Sequence, residues 1–297
     1  MMKRTITLVL TAAFFAMTSV AGADDTVRRV VSLAPAITEI IYSLGAEDVL
    51  VGVSDYCDYP PAAFTKEKVG GFINPNLEKI VSLSPDMVIL SPNSGTQQIQ
   101  SRLDRLGVKN TVVSFYTIEE LIDAYKVIGK MLGKEQEAIA FENTVRGRMK
   151  SISSRVQEAA SPLVLFVRSH EPLYVAGCGT YEDDLITVAG GKQCIVESAV
   201  RYPQYNIEEI IRLNPAIIID ATFYETPDFL QRRLIRDFWS SVKSIDAVAN
   251  GQVYIIKTDI HSVPGPRTPL MLDIMAQIVH PEIFGEETTY SERIITE

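Results

Sequence analysis

One segment of the chain occurs twice. Asn76 to Leu90 (NLEKIVSLSPDMVIL) aligns without a gap on Asn206 to Asp220 (NIEEIIRLNPAIIID), 130 residues further on. In each copy an Asn is placed to cap a short helix, a Glu sits in the first turn where the helix dipole favours it, and a Pro ends the helix. An apolar, β-branched run suited to a buried strand then follows. Two homologous halves of the same architecture follow from this repeat.

The surrounding pattern continues the theme. Val30 to Leu33, Val49 to Val53, Met87 to Leu90 and Thr111 to Ser114 read as short buried strands separated by helical stretches. Leu163 to Val167, Ala216 to Ile219 and Val253 to Ile256 repeat this in the second half. Strands alternating with helices predict parallel sheets covered on both faces, so both halves are α/β. Between them, Lys134 to Ala160 carries Ala138, Phe141, Val145, Met149, Ile152 and Val156 at helical spacing. It predicts one long amphipathic connecting helix, about 40 Å if helical throughout. The expected organisation is a segment 1–23, an N-terminal α/β lobe over 24–133, an interdomain helix over 134–160 and a C-terminal α/β lobe over 161–297.

Residues 1–23 have the form of a secretory signal peptide: Lys3 and Arg4, an apolar run from Leu8 to Val20, and small residues at Ala21-Gly22-Ala23. The run is shorter than the roughly 20 residues a membrane span needs. Cleavage near Ala23 is expected, giving a periplasmic protein. Losing two basic and no acidic residues would take the net charge from −9 to −11, which disfavours nucleic acid as a partner. Export permits disulfides, but Cys57, Cys178 and Cys194 have no paired metal-ligand spacing, and one bridge or none is equally open. No G-x-S-x-G elbow, H-E-x-x-H pair or phosphate-binding glycine loop is present, so the sequence offers no enzyme signature and no metal site.

Three further stretches carry a family resemblance: Arg29-Val30-Val31-Ser32-Leu33-Ala34-Pro35-Ala36-Ile37-Thr38-Glu39, then Val51 to Pro60 (VGVSDYCDYP), then Val69-Gly70-Gly71-Phe72 leading into the first repeat copy. With the repeat, they make the chain resemble the helical-backbone substrate-binding proteins of ABC importers for cobalamin, haem and siderophores. It is most similar to the cobalamin-binding members. The resemblance implies two Rossmann-like lobes joined by a single long helix. It also implies a monomer that carries a corrinoid as transported ligand, with no cofactor of its own, to an ABC permease dimer in the inner membrane. Haem or an iron siderophore is the alternative cargo.

A corrinoid is a large, flat ring edged by amides, so its receptor needs aromatic faces and scattered polar groups. Tyr56, Phe72, Tyr202 and Tyr174 are the candidate ligand-binding aromatics. Phe72 and Tyr202 each stand four residues before the capping Asn of a repeat copy, which would place them in equivalent loops across a cleft. In the resembling cobalamin binders Trp stands at both positions, so this chain keeps aromaticity there with less area. Asp259 and His261 belong to the expected second-lobe loop over the cleft, and His170 follows a strand at the end where α/β sites form. Arg267 opens the next helix and is placed either to contact ligand or to pair structurally. In haem binders of this family a ligating Tyr tends to stand where Phe72 does, and Phe offers iron no ligand. Glu78 and Glu208, equivalent in the repeat, match the acidic pair that in the resembling family docks on Arg residues of the two permease subunits.

Overall fold

The computed structural model describes residues 27–224, 226–256, 264–286 and 290–294; the expected signal peptide lies outside them. The first half is a four-stranded, fully parallel sheet built from β1 (Val30–Ser32), β2 (Leu50–Val53), β3 (Met87–Leu90) and β4 (Asn110–Val112) in the order β2-β1-β3-β4. In the second half, β5 (Leu163–His170) pairs in parallel with β7 (Lys192–Gln193) and β8 (Ile217–Asp220), and β8 pairs with β9 (Val253–Ile256). The order β7-β5-β8-β9 is the first sheet's order over again. The expected all-parallel arrangement needs one correction here. β6 (Leu173–Val175) and β10 (Ser291–Ile294) add antiparallel strands to the second sheet, β6 folding straight back from β5.

The repeat extends to backbone detail. Asn76 caps α2 (Leu77–Ser82) and Asn206 caps α7 (Ile207–Leu213), each side chain accepting a hydrogen bond from the N–H three residues on. Both helices then end through a left-handed residue just before the proline, Ser84 at φ 47° and Asn214 at φ 46°. That conformation turns the chain off the helix axis and aims it into the buried strand. At α7 the capping is reciprocal, because Glu209 reaches back to the Asn206 N–H.

Alternation along each strand divides the core. Val30 and Ile89 face one cluster and Val31, Val88 and Leu90 another, as the two-residue strand period requires. Behind the first sheet, Ile80 of α2 with Ile99 and Leu103 of α3 (Thr96–Arg105) close one face. Behind the second, Ile210 of α7 with Ile235 and Trp239 of α8 (Asp228–Ser240) do the same. The inner faces of both sheets belong to a single continuous core, which passes through α1 (Pro35–Ser43), α4 (Ile118–Leu132), α5 (Glu135–Val156), α6 (Tyr181–Val188) and the helix Thr268–Val279.

The connecting helix is α5, shorter at its C-terminal end than the pattern to Ala160 suggests, since Gln157 caps it. Its buried face is Ala138, Val145, Ile152 and Val156. Gly129 lets α4 approach it: a Cβ there would lie 2.8 Å from the Ala138 Cβ. The rings of Tyr125 and Phe141 stack at 3.6 Å across the same seam. Arg146 of α5 grips Glu119 of α4 with two bonds of 2.7 and 2.8 Å and also holds Glu142. Arg148 pairs with Asp273 of the helix Thr268–Val279 on the other side. Among the described residues no helix is long and apolar enough to cross a membrane.

Removing the caps should reveal the asymmetry between the two copies. Asn76→Ala and Asn206→Ala are each expected to cost about 1 kcal/mol. The Asn206 change should cost the more, since it also strands the Glu209 partner of the capping box. Urea unfolding of the two variants would show this ordering or refute it.

Candidate functional site

In both sheets the strand order reverses next to the first strand, between β2 and β3 around β1 and between β7 and β8 around β5. Ligands of open α/β sheets bind at such switch points, beyond the carboxyl ends of the strands. Here those ends meet. Glu39, on the helix that follows β1, takes a hydrogen bond from Arg267 Nη2 at 2.8 Å. The same guanidinium lies over the ring of Tyr59, in the loop after β2, at 4.4 Å. Arg201 from the second half lies over the ring of Tyr116, after β4, also at 4.4 Å, and 4.0 Å from Glu120. The Ile118 N–H donates to Asp184 of α6 at 2.7 Å. Two Arg-on-Tyr clasps with carboxylate partners therefore bridge the halves around one cleft.

The clasps differ in burial. Glu39 is 2 % exposed, and among the described residues its Oε2 has no partner, as is true of Arg267 Nε. Burial pushes the Glu39 carboxyl up to about 7 despite the opposing pull of Arg267, with Asp58 adding to the rise. Desolvation of the charged form outweighs the single charged hydrogen bond it receives. The Arg201 clasp is instead half exposed, and its Nε is held by the Gly179 carbonyl at 3.1 Å.

On the first-half side of the cleft, Tyr56 and Phe72 meet edge to face, with ring centroids 5.4 Å apart. Their loops are tied by Gly70, which at φ 91° adopts a conformation suited to glycine: its N–H reaches Asp55 and its carbonyl takes the Asp55 N–H. Tyr56 is 58 % exposed, a large aromatic face offered outward. On the second-half side, Tyr174 and Tyr202 line a cavity of about 510 Å³ together with Arg168 and Ser169. The Tyr202 hydroxyl donates to Glu182 Oε2 at 3.0 Å, and burial with the nearby Glu182 charge raises its pKa. Phe72 and Tyr202, repeat-equivalent in sequence, thus have different anchors: the first a neighbouring aromatic, the second a buried carboxylate.

Asp259 and His261 lie outside the described residues. His170, expected just beyond its strand, is instead the buried last residue of β5. Its Nε2 meets Asp220 Oδ2 at 2.6 Å, its Nδ1 meets the Tyr224 hydroxyl at 2.7 Å, and Phe238 stacks on it. Burial alone would raise the Asp220 carboxyl, but the bonds from His170, Trp239 and Thr222 hold it below its ordinary value. Asp220 is the counterpart of Leu90 in the repeat, so here the second half replaces an apolar residue by a fully bonded polar cluster. Arg267 proves to be Glu39's partner. Glu78 and Glu208 are exposed in first helical turns, with no ion pair to another described residue. The three cysteines are thiols, Cys57 and Cys194 buried and Cys178 exposed.

Sequence reasoning passed over Glu39 and Glu182. Glu39 stood in a quoted motif without a role, and Glu182 in an acidic first turn reads as an ordinary dipole partner. Only the fold brings Arg267 to Glu39, and Arg168 and Tyr202 to Glu182.

Two α/β lobes with an aromatic-lined cleft between their carboxyl strand ends have the architecture of a binding protein. The periplasmic binding protein family model matches residues 30–260, and the chain belongs to that family. It is 29 % identical to the vitamin B12-binding protein of Vibrio cholerae serotype O1, across 84 % of this chain and 87 % of that one. It is 28 % identical to the vitamin B12-binding protein of Salmonella typhimurium, over 74 % and 80 %. Among solved structures, the periplasmic vitamin B12-binding protein of Vibrio cholerae superposes with a TM-score of 0.73 at 26 % identity, covering 85 % of this chain and 96 % of that one. A periplasmic heme-binding protein from Pseudomonas aeruginosa shares the fold, with a TM-score of 0.77 at 24 % identity over 90 % and 98 %.

The Glu39 carboxyl makes stability depend on pH in a stated direction. Raised from 4.5 to about 7 on folding, it lets the folded protein hold more protons than the unfolded chain within that window. Stability should therefore fall as pH rises through it, by on the order of 3 kcal/mol at most. Glu39→Gln should flatten the decline in urea midpoint between about pH 5 and 7.5. An undiminished decline would place its source elsewhere.

Proposed function

We propose that this chain is the extracytoplasmic substrate-binding protein of an ABC importer, that it captures a corrinoid of the cobalamin type in the interlobe cleft, and that it delivers it to the permease. The observation that carries the reading is the pairing of Tyr56 with Phe72 on one side of the cleft and of Tyr174 with Tyr202 around the cavity on the other. Aromatic faces on two sides suit a large flat ring. The names of the relatives, vitamin B12-binding proteins in two organisms, support the same cargo. In this reading residues 1–23 direct export and are removed, the mature protein works as a periplasmic monomer without catalysis, and residues 24–133 and 161–297 form the lobes on either side of the helix within 134–160. Asp259 and His261 are further candidate ligand contacts in this reading.

Titrating the mature protein with cyanocobalamin, haemin and a ferric siderophore, followed by calorimetry and visible absorbance, tests the cargo. Cyanocobalamin should bind most tightly; preference for either of the others overturns the corrinoid reading. Replacing Phe72 and Tyr202 together by Ala should weaken cyanocobalamin binding at least about tenfold, at ~0.5–1.5 kcal/mol per aromatic contact beyond area. Unchanged affinity in the folded double variant would remove both from the site.

Delivery is assigned to Glu78 and Glu208. Each sits in an exposed first turn at the same point of a repeat copy, one per lobe, as two matching contacts on a two-subunit permease require. Arg–carboxylate pairing would supply orientation as well as attraction. Reversing both charges should leave ligand affinity unchanged and sharply reduce transport by the reconstituted permease, with single reversals intermediate. Loss of ligand binding with normal transport per loaded protein would move these carboxylates into the cleft.

A further inference from the structure

Among the described residues that line the cavity beside Tyr174 and Tyr202, the one cation is Arg168, and its charge is already matched. Arg168 Nη1 lies 3.2 Å from Glu182 Oε1, while Glu182 Oε2 takes the Tyr202 hydroxyl. The Glu182 side chain is 5 % exposed and has both oxygens engaged, whereas that of Arg168 is 31 % exposed. Ser169, the other polar lining residue of β5, spends its hydroxyl on the Pro172 carbonyl at 2.6 Å. Among the described lining residues, the donors not already engaged are the remaining guanidinium N–H groups of Arg168 and the hydroxyl of Tyr174. At the cleft's rim, Arg201 is likewise beside a carboxylate, Glu120.

A guanidinium has five N–H donors and one charge. With the charge balanced by a buried carboxylate, the unused donors still offer hydrogen bonds but exert little net attraction on an anion. An incoming carboxylate would have to share Arg168 with Glu182, placing two negative groups around one cation in a partly dehydrated cavity. A neutral carbonyl oxygen meets the same donors without that repulsion.

We infer that Arg168 is a specificity-determining ligand contact and Glu182 its positioning, charge-balancing partner, and that together they select a neutral carboxamide edge over a carboxylate edge. The inference deepens the proposed function and rests on the cavity being the ligand site. It explains how one cation can serve recognition without favouring anionic cargo.

The test compares cyanocobalamin with the set of its derivatives in which one peripheral amide is hydrolysed to the acid. Wild-type protein should bind at least one of these acids about tenfold or more weakly than the parent, the scale of a charged hydrogen bond turned unfavourable. Glu182→Gln, which can still accept from Tyr202, should bring that acid to equal or tighter binding than the parent. Arg168→Gln should weaken the parent and abolish the change that Glu182→Gln produces, as read in the double variant. An acid-to-parent ratio unmoved by Glu182→Gln in a protein of normal melting temperature overturns the inference. Should Glu182→Gln not fold, Arg168→Gln alone decides: parent binding equal to wild type overturns it. Haemin and its diamide are measured alongside. If wild-type protein binds no corrinoid, the proposed cargo fails; a diamide preference lost in Glu182→Gln would still uphold the inference, and failure of all probes would overturn both.

Discussion

The rest of the structure depends on the burial of α5 against both halves at once. Its apolar face, Ala138, Val145, Ile152 and Val156, is covered by α4 from the first half and by α6 and the helix Thr268–Val279 from the second, within one unbroken core. A connection that is itself part of the core cannot act as a loose tether, because opening the lobes would expose apolar surface along its whole length. The Arg146 and Arg148 ion pairs on either side add direction to that packing. Helix packing of this kind opposes a large change in the angle between the lobes.

The walls of the cleft are built on the switch points of two sheets with the same strand order. The first wall carries an aromatic pair whose loops are braced by Gly70 and Asp55. The second carries tyrosines fastened by a buried carboxylate and by the β5–β6 hairpin. The departures from symmetry lie at this wall: β6 supplies Tyr174, and Glu182 is the partner of both Tyr202 and Arg168. The Asp220, His170 and Trp239 cluster, by contrast, is an internal brace, every member buried and bonded.

The Glu39–Arg267 clasp shows how a contact can define geometry without being a strong source of stability. A buried ion pair held by a single hydrogen bond returns little of its desolvation cost. What it fixes is register, placing α1 and the start of the helix Thr268–Val279 against each other, with Tyr59 from the loop after β2 against the guanidinium. The rim clasp at Arg201 is solvated and so contributes less constraint.

The sequence by itself determined the α/β class, the two equivalent halves and the connecting helix, because strand and helix periods and the Asn-Glu-Pro punctuation are local properties repeated 130 residues apart. It also singled out Phe72 and Tyr202 through the repeat, and Glu78 and Glu208 through their first-turn positions. Only the tertiary structure decided that His170 belongs to the core, that Arg267 answers Glu39, and that Glu182 stands between Arg168 and Tyr202. Each of those pairings joins residues that are distant in the chain or unremarkable in their own neighbourhood. Burial and partner, which set what a polar side chain does, are properties of the assembled fold and leave no local pattern to read.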